Sequence, residues 1–183
     1  FFISSSISAK ACFCPFVIEE FPFTLTKGQK QAFADIEDDM EGKVPMQRLI
    51  QGDVGSGKTA VAALALAKIV ENGYQGALMA PTEVLASKHF KTFQKIFSNL
   101  SVKVGYLSGQ TRTGDRKEIL SQLCHGDINI LIGTHALLEK DVLFSDLGLV
   151  ITDEQHRFGV KQRRALEDKG EMPHVLIMTA TPI

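Results

Sequence analysis

The chain alternates between short, unbroken apolar runs and longer stretches with helical periodicity. Apolar runs fall at Ala77 to Ala80, Val102 to Leu107, Ile128 to Gly133, Leu147 to Asp153 and Val175 to Thr179, and Met46 to Ile50 reads as one more short strand. Between them, helical spacing covers Ala60 to Val70, Glu83 to Ser98 and Thr113 to His125. The runs lack the apolar/polar alternation of a strand with one wet face, so they predict strands covered on both sides by crossover helices. The expected fold class is α/β, a three-layer sandwich around a parallel sheet. Neither an internal repeat nor a coiled-coil heptad pattern is present.

Order is expected to begin at Phe21. Thr26 and Gln29 have capping-box spacing for a helix running to about Glu41, which Gly42 and Pro45 then stop. Residues 1–20 read differently. The first residue is Phe1 and not Met, and Phe1 to Ile18 contain no acid but carry Ser4, Ser5, Ser6 and Ser8. Such composition suits an organelle transit peptide, yet there is no Arg and only Lys10 as a cation. An uncertain or disordered N-terminal segment is the preferred reading, with organellar targeting left open.

At 183 residues and 44% hydrophobic content, with a mean hydropathy of +0.04, the chain can bury one domain and is too short for two of ordinary size. Twenty basic and 21 acidic side chains give a net charge of −1, so no global positive field draws it to nucleic acid or to an acidic membrane. Any DNA contact must be local. Cys12, Cys14 and Cys124 form neither a disulfide framework nor a zinc spacing. No apolar run is long enough to predict a membrane span.

The candidate chemistry begins at Gly52-Asp53-Val54-Gly55-Ser56-Gly57-Lys58-Thr59, which fits the phosphate-loop pattern G-x-x-x-x-G-K-[S/T] between a predicted strand and a predicted helix. Gly52, Gly55 and Gly57 let the backbone turn sharply and offer N–H groups, Ser56's among the loop's, to a polyphosphate. Lys58 supplies charge for the phosphate oxygens, and Thr59 a hydroxyl ligand for Mg²⁺. The following helix aims its N-terminal dipole at the same place. A second strand ends in Thr152-Asp153-Glu154-Gln155-His156. Two carboxylates at the carboxyl edge of a parallel sheet sit where ligands bind in open α/β folds. Asp153 is suited to hold Mg²⁺ and Glu154 to orient and deprotonate the attacking water. A third strand leads into Thr179-Ala180-Thr181-Pro182 at the same edge.

In this order the motifs resemble the first motor lobe of the superfamily-two helicases: Leu25-Thr26-x-x-Gln29, Gly52 to Thr59, Ala80-Pro81-Thr82-Glu83, Gly133-Thr134-His135, Asp153-Glu154-Gln155-His156 and Thr179-Ala180-Thr181. The longer wordings, Met46 through Thr59 and Asp153-Glu154-Gln155-His156-Arg157-Phe158-Gly159-Val160, look like RecG-type ATP-dependent DNA helicases. The transcription-repair coupling translocases are similar nearby but more typically carry Asp-Glu-Glu-Gln before Arg-Phe-Gly-Val. The resemblance covers about Phe21 to Ile183. It implies a RecA-like P-loop lobe over 21–183, with ATP and Mg²⁺ as cofactors and Gln29 reading the adenine edge. Pro81, Thr82, Thr134 and His135 would touch the sugar-phosphate backbone of DNA, which positions a strand without reading its sequence. Gln155, His156 and Thr179, Ala180 and Thr181 would relay nucleotide state to DNA grip.

Simpler roles stand beside these. Gln29 can serve only as the capping partner of Thr26, Pro81-Thr82 can simply start a helix, and Lys161, Arg163 and Arg164 can be a solvated helix face. His135 and His156 can be ordinary surface histidines, as His89, His125 and His174 are expected to be unless they are locally bonded. The resemblance further implies partners that the chain does not supply. These are a second motor lobe, whose arginines complete the ATP site, and a domain that binds the DNA junction. The expected activity is ATP-driven remodelling of stalled forks and recombination junctions, in the bacterial cytoplasm. The alternatives are another superfamily-two translocase, including one acting on RNA, or a nucleotide-binding fragment that does not hydrolyse ATP.

Overall fold

Among the described residues, six strands, all paired in parallel, form one sheet in the order β1-β6-β5-β2-β4-β3. The strands are β1 (Gln47–Gln51), β2 (Gln75–Met79), β3 (Val104–Leu107), β4 (Ile130–Gly133), β5 (Leu147–Asp153) and β6 (His174–Thr179). The structure is a computed structural model, and it describes residues 14–53, 55–153 and 159–180. Helices α1 (Cys14–Glu19), α2 (Lys27–Glu41), α3 (Lys58–Glu71), α4 (Glu83–Ile96), α5 (Thr113–His125) and α6 (Val160–Glu167) connect or flank the strands. A 3₁₀ turn at His135–Leu138 follows β4.

The core lies in two separate apolar clusters. One holds residues of α1 to α4 with Ile130, Ile132, Leu149, Ile151 and Leu176 of the sheet. The other holds Leu123 of α5, Leu166 of α6 and the 3₁₀ turn with Ala77, Met79, Leu131 and Val150. Alternate strand residues thus face opposite layers, as the three-layer expectation requires. Every residue from Ala60 to Ile69 is buried, as follows from a helix that is apolar on all sides. Lys68 is the exception in kind: it is 5% exposed and pairs with Glu37 at 3.3 Å and Glu41 at 3.4 Å on α2. Burial alone would lower its pKa, but the Glu37 and Glu41 carboxylates together hold it above the ordinary value.

Several expectations are met at their stated bounds, including Leu147–Asp153 and Thr113–His125. Others shift. Order begins before Phe21, because α1 buries Cys14 and Val17 against the same core as α3. The strands expected from Val102 and Ile128 begin two residues later, at Val104 and Ile130. There the Asn129 side chain accepts the Lys103 N–H at 2.7 Å, in place of a ladder bond. β1 lies at the sheet edge and alternates between exposed and half-buried, with Leu49 exposed, so it is not covered on both faces. β2 starts early at Gln75, whose buried amide donates to the carbonyls of Leu123 and Ile128 and accepts the N–H of Asp146.

Candidate nucleotide and metal site

Parallel pairing brings all six carboxyl strand ends to one edge. The register sets Gln51 beside Thr179, Asp153 beside Met178 and Met79 beside both Thr152 and Gly133. The phosphate loop, Asp153 and Thr179 therefore converge, although 126 positions separate Asp53 from Thr179 in the chain.

The loop is built as its residue types predict. Gly55 and Gly57 sit at φ 84° and 80°, a region that side chains with a Cβ rarely adopt. At Gly57 a Cβ would also overlap the Gln29 amide. Gly52 differs: its φ is ordinary, and a Cβ there would meet the Ser56 side chain, which would have to turn away. Gly57 is the N-cap of α3, so the loop runs directly into the positive end of a buried helix. Lys58 Nζ donates to the carbonyls of Gly52 at 2.5 Å and Asp53 at 2.9 Å. The Gly52 N–H donates to the Thr179 carbonyl at 3.2 Å, which ties the end of β6 to the loop.

A cavity of about 280 Å³ opens on one side of the loop, lined by Gly55, Lys58, Thr59, Asp153, Ala180 and a face of α4. On the other side, a cavity of about 260 Å³ is lined by Thr26, Gln29, Gly52, Ser56, Gly57 and Lys58. Gln29 is buried and carries two loads. Its Oε1 accepts the Thr26 N–H at 2.8 Å while its own N–H donates to Thr26 Oγ1 at 3.2 Å, which completes the capping box. Its Nε2 donates to the Ser56 carbonyl at 3.1 Å. Capping and contact with the phosphate loop coexist in one side chain.

The donor set fits Mg²⁺ brought by a polyphosphate. The cavity offers one carboxylate, Asp153, and two hydroxyls, Thr59 in the loop and Thr92 on α4, the latter donating to the Lys88 carbonyl. Asp153 and Thr59 are hard oxygen ligands, and Mg²⁺ usually keeps waters and phosphate oxygens around few protein ligands. Among the described residues no cluster of three His, Cys, Asp or Glu side chains could enclose a metal alone.

The remaining candidates divide. Pro81 and Thr82 end the β2 segment at the same edge, and Thr82 Oγ1 accepts the Leu85 N–H at 3.3 Å as the N-cap of α4. His135 is exposed at the start of the 3₁₀ turn, whereas Thr134 is 2% exposed and its hydroxyl is buried without a hydrogen-bond partner. Of that pair, only His135 presents its side chain at the surface. Lys161 and Arg164 are exposed and Arg163 less so, on α6. Glu154, Gln155, His156 and Thr181 lie outside the described residues.

His89 and His174, expected at the surface or else locally bonded, are both buried and hydrogen-bonded, to segments distant in the chain. His174 is fully buried, and its Nδ1 accepts the Met46 N–H at 2.8 Å. Burial pushes its pKa down to about 4, against a small opposing pull from Asp39. His89 is 8% exposed, and its Nε2 lies 2.6 Å from Asp153 Oδ2. Sequence reasoning passed over His89, although one signal could have found it: Leu85, Lys88, His89 and Thr92 share one helical face, and all four line the cavity beside Asp153.

Comparison with known proteins agrees with this geometry. The chain is 52% identical over 166 residues to the ATP-dependent DNA helicase RecG of Bacillus subtilis, covering 91% of this chain and 24% of that protein. It is 51% identical over 166 residues to the same-named helicase of Thermotoga maritima, covering 91% and 21%. The chain thus spans about a quarter of the length of the curated relatives it matches. A solved structure of RecG bound to a three-way DNA junction aligns with a TM-score of 0.84 and 46% identity, over 97% of this chain and 23% of that one. The helicase MrfA, bound to DNA and AMPPNP, aligns over 96% of this chain and 26% of its own, with a TM-score of 0.72 at 18% identity, and so shares the RecA-like fold. The DEAD/DEAH box helicase profile matches residues 26–183, and the chain belongs to that family.

Proposed function

We propose that this chain is the ATP-binding lobe of an ATP-dependent DNA helicase that remodels branched DNA, such as stalled forks and recombination junctions, in DNA repair and recombination in the bacterial cytoplasm. One observation carries the reading: Lys58, Thr59 and Asp153 line one cavity while Gln29 lines another across the same loop. The identity to RecG helicases supports the choice of substrate.

ATP would place its phosphates on the loop N–H groups and its base on the Gln29 side. Lys58, now bonded to carbonyls of its own loop, would turn its charge to the phosphate oxygens. Thr59 and Asp153 would hold Mg²⁺, which when bound neutralises charge on the transferring phosphoryl group. Glu154, the next residue after Asp153, would take the proton of the attacking water. The Thr179–Gly52 bond gives the Thr179, Ala180 and Thr181 stretch a direct route to the loop, and Gln155 and His156 would act with it in relaying nucleotide state. Pro81, Thr82 and His135 would meet the DNA backbone, whereas the buried Thr134 would not present its side chain to it. A second motor lobe and a junction-binding domain would complete the enzyme.

The test is steady-state ATP hydrolysis by the intact protein with a three-way junction, linear duplex or structured RNA. Junction DNA is expected to stimulate most, with binding that weakens steeply as salt rises because it rests on phosphate contacts. Equal stimulation by RNA, or none by any nucleic acid, would overturn the reading.

A further inference from the structure

α4 is capped by Thr82 and carries His89 two turns further on, against the acidic end of β5. We propose that His89 is a positioning residue that holds the Asp153 carboxylate in the orientation needed for Mg²⁺. The inference rests on the reading of Asp153 as a metal-holding group.

Asp153 is the last residue of β5, so one side of its backbone is no longer held by the strand ladder. An aspartate there has rotatable side-chain bonds and loses ligand geometry if nothing fixes them. His89 does so from a separate element, 64 residues away in the chain. A metal-bound carboxylate only accepts hydrogen bonds, so the ring Nε2 donates. With Oδ2 bonded to His89, the carboxylate would present its remaining lone pairs to a metal in one fixed orientation. Both residues are 8% exposed, which keeps water from competing for the bond. The ring is itself packed, with its centroid 6.1 Å from that of Phe93. Partners of this kind, bonded to a ligand and not to the metal, typically account for 10- to 100-fold in metal affinity.

The experiment is a Mg²⁺ titration of ATP-analogue binding to the intact protein, set beside nucleotide affinity in the absence of metal. His89→Ala and His89→Leu should raise the Mg²⁺ midpoint roughly 10- to 100-fold and leave metal-free affinity unchanged. His89→Gln, whose amide N–H reaches a similar place, should restore most of the loss. Leu keeps apolar volume against Phe93, so it and Gln decide the matter if the Ala variant does not fold. A midpoint unchanged in the donor-less variants, or a shift as large in Gln as in Leu, would overturn the proposal. Asp153→Asn separates the two levels of argument. If it too keeps the wild-type midpoint, the metal-site reading itself fails; if it alone shifts, only the role of His89 fails.

Discussion

Gln29 and Ser56 lie 27 residues apart, yet a hydrogen bond of 3.1 Å from the Gln29 Nε2 to the Ser56 carbonyl fastens the start of α2 to the phosphate loop. The same amide closes the α2 capping box through Thr26. A side chain so placed can shape the loop and read a base with its remaining hydrogen-bonding capacity.

Gln29→Ala is therefore expected to cost about 1 kcal/mol of stability through the lost cap and to weaken ATP binding as well. Gln29→Glu keeps an acceptor for Thr26 but not the donor to Ser56, so it should retain most of the cap and still bind nucleotide poorly. Chemical denaturation beside a nucleotide titration of both variants checks the split. Parallel losses of stability and affinity in both would reduce Gln29 to a cap.

Lys58→Ala should leave the fold intact and remove nucleotide binding. Among the described residues Lys58 bonds carbonyls of its own loop, those of Gly52 and Asp53, so little packing is lost. Two charge-assisted phosphate contacts at roughly 1.5–3 kcal/mol each correspond to a loss of about 10²- to 10⁴-fold in affinity. Calorimetry with ATP and a thermal melt measure the two halves. A collapsed fold or unchanged affinity would count against the assignment.

The site was legible in the sequence wherever a local pattern carries its own chemistry. The phosphate loop, the Asp153 strand end and the Thr26–Gln29 box each announce themselves within a few residues, and β5 stands out because an unbroken apolar run from Leu147 to Ile151 precedes Thr152 and Asp153. What stayed hidden depends on contacts between distant segments. His89 looks like any helical histidine until α4 is laid beside β5. Lys68 looks like a solvated lysine until α2 brings Glu37 and Glu41 over it. Gln75 looks like the end of a turn until its amide is seen to serve three backbone groups. β1 was predicted as a strand, but its edge position follows from β6 returning beside it, which no local pattern encodes.

His174 predicts an acid-sensitive fold. Its folded pKa is lowered from 6.5 to about 4 by burial, so the unfolded chain binds a proton that the folded one refuses. The contribution is complete above pH 6.5, falls as pH drops from 6.5 towards 4, and is lost below that; the shift corresponds to about 3 kcal/mol. Asp146 and Glu167 have raised pKa values from burial and act in the opposite sense at acid pH. The clean measurement is therefore the His174 imidazole itself, whose resonances should stay neutral to pH 5. Protonation near pH 6.5 would contradict the buried bond to Met46.

Glu154→Gln in the intact protein tests the chemistry most directly. If Asp153 and Thr59 hold Mg²⁺ while Glu154 only takes a proton from water, the amide should leave ATP and metal bound and stop turnover. Loss of a general base costs roughly 10² to 10⁴ in rate. Binding and hydrolysis should then separate, and a motor that cannot hydrolyse should remain closed on its junction without moving it. Were Glu154 an ordinary exposed carboxylate, the change would cost under about 0.5 kcal/mol and leave unwinding intact. A fork-unwinding assay run beside a nucleotide titration decides between these outcomes. Near-normal unwinding would remove Glu154 from the mechanism, and lost ATP binding would move it to the metal-holding group with Asp153.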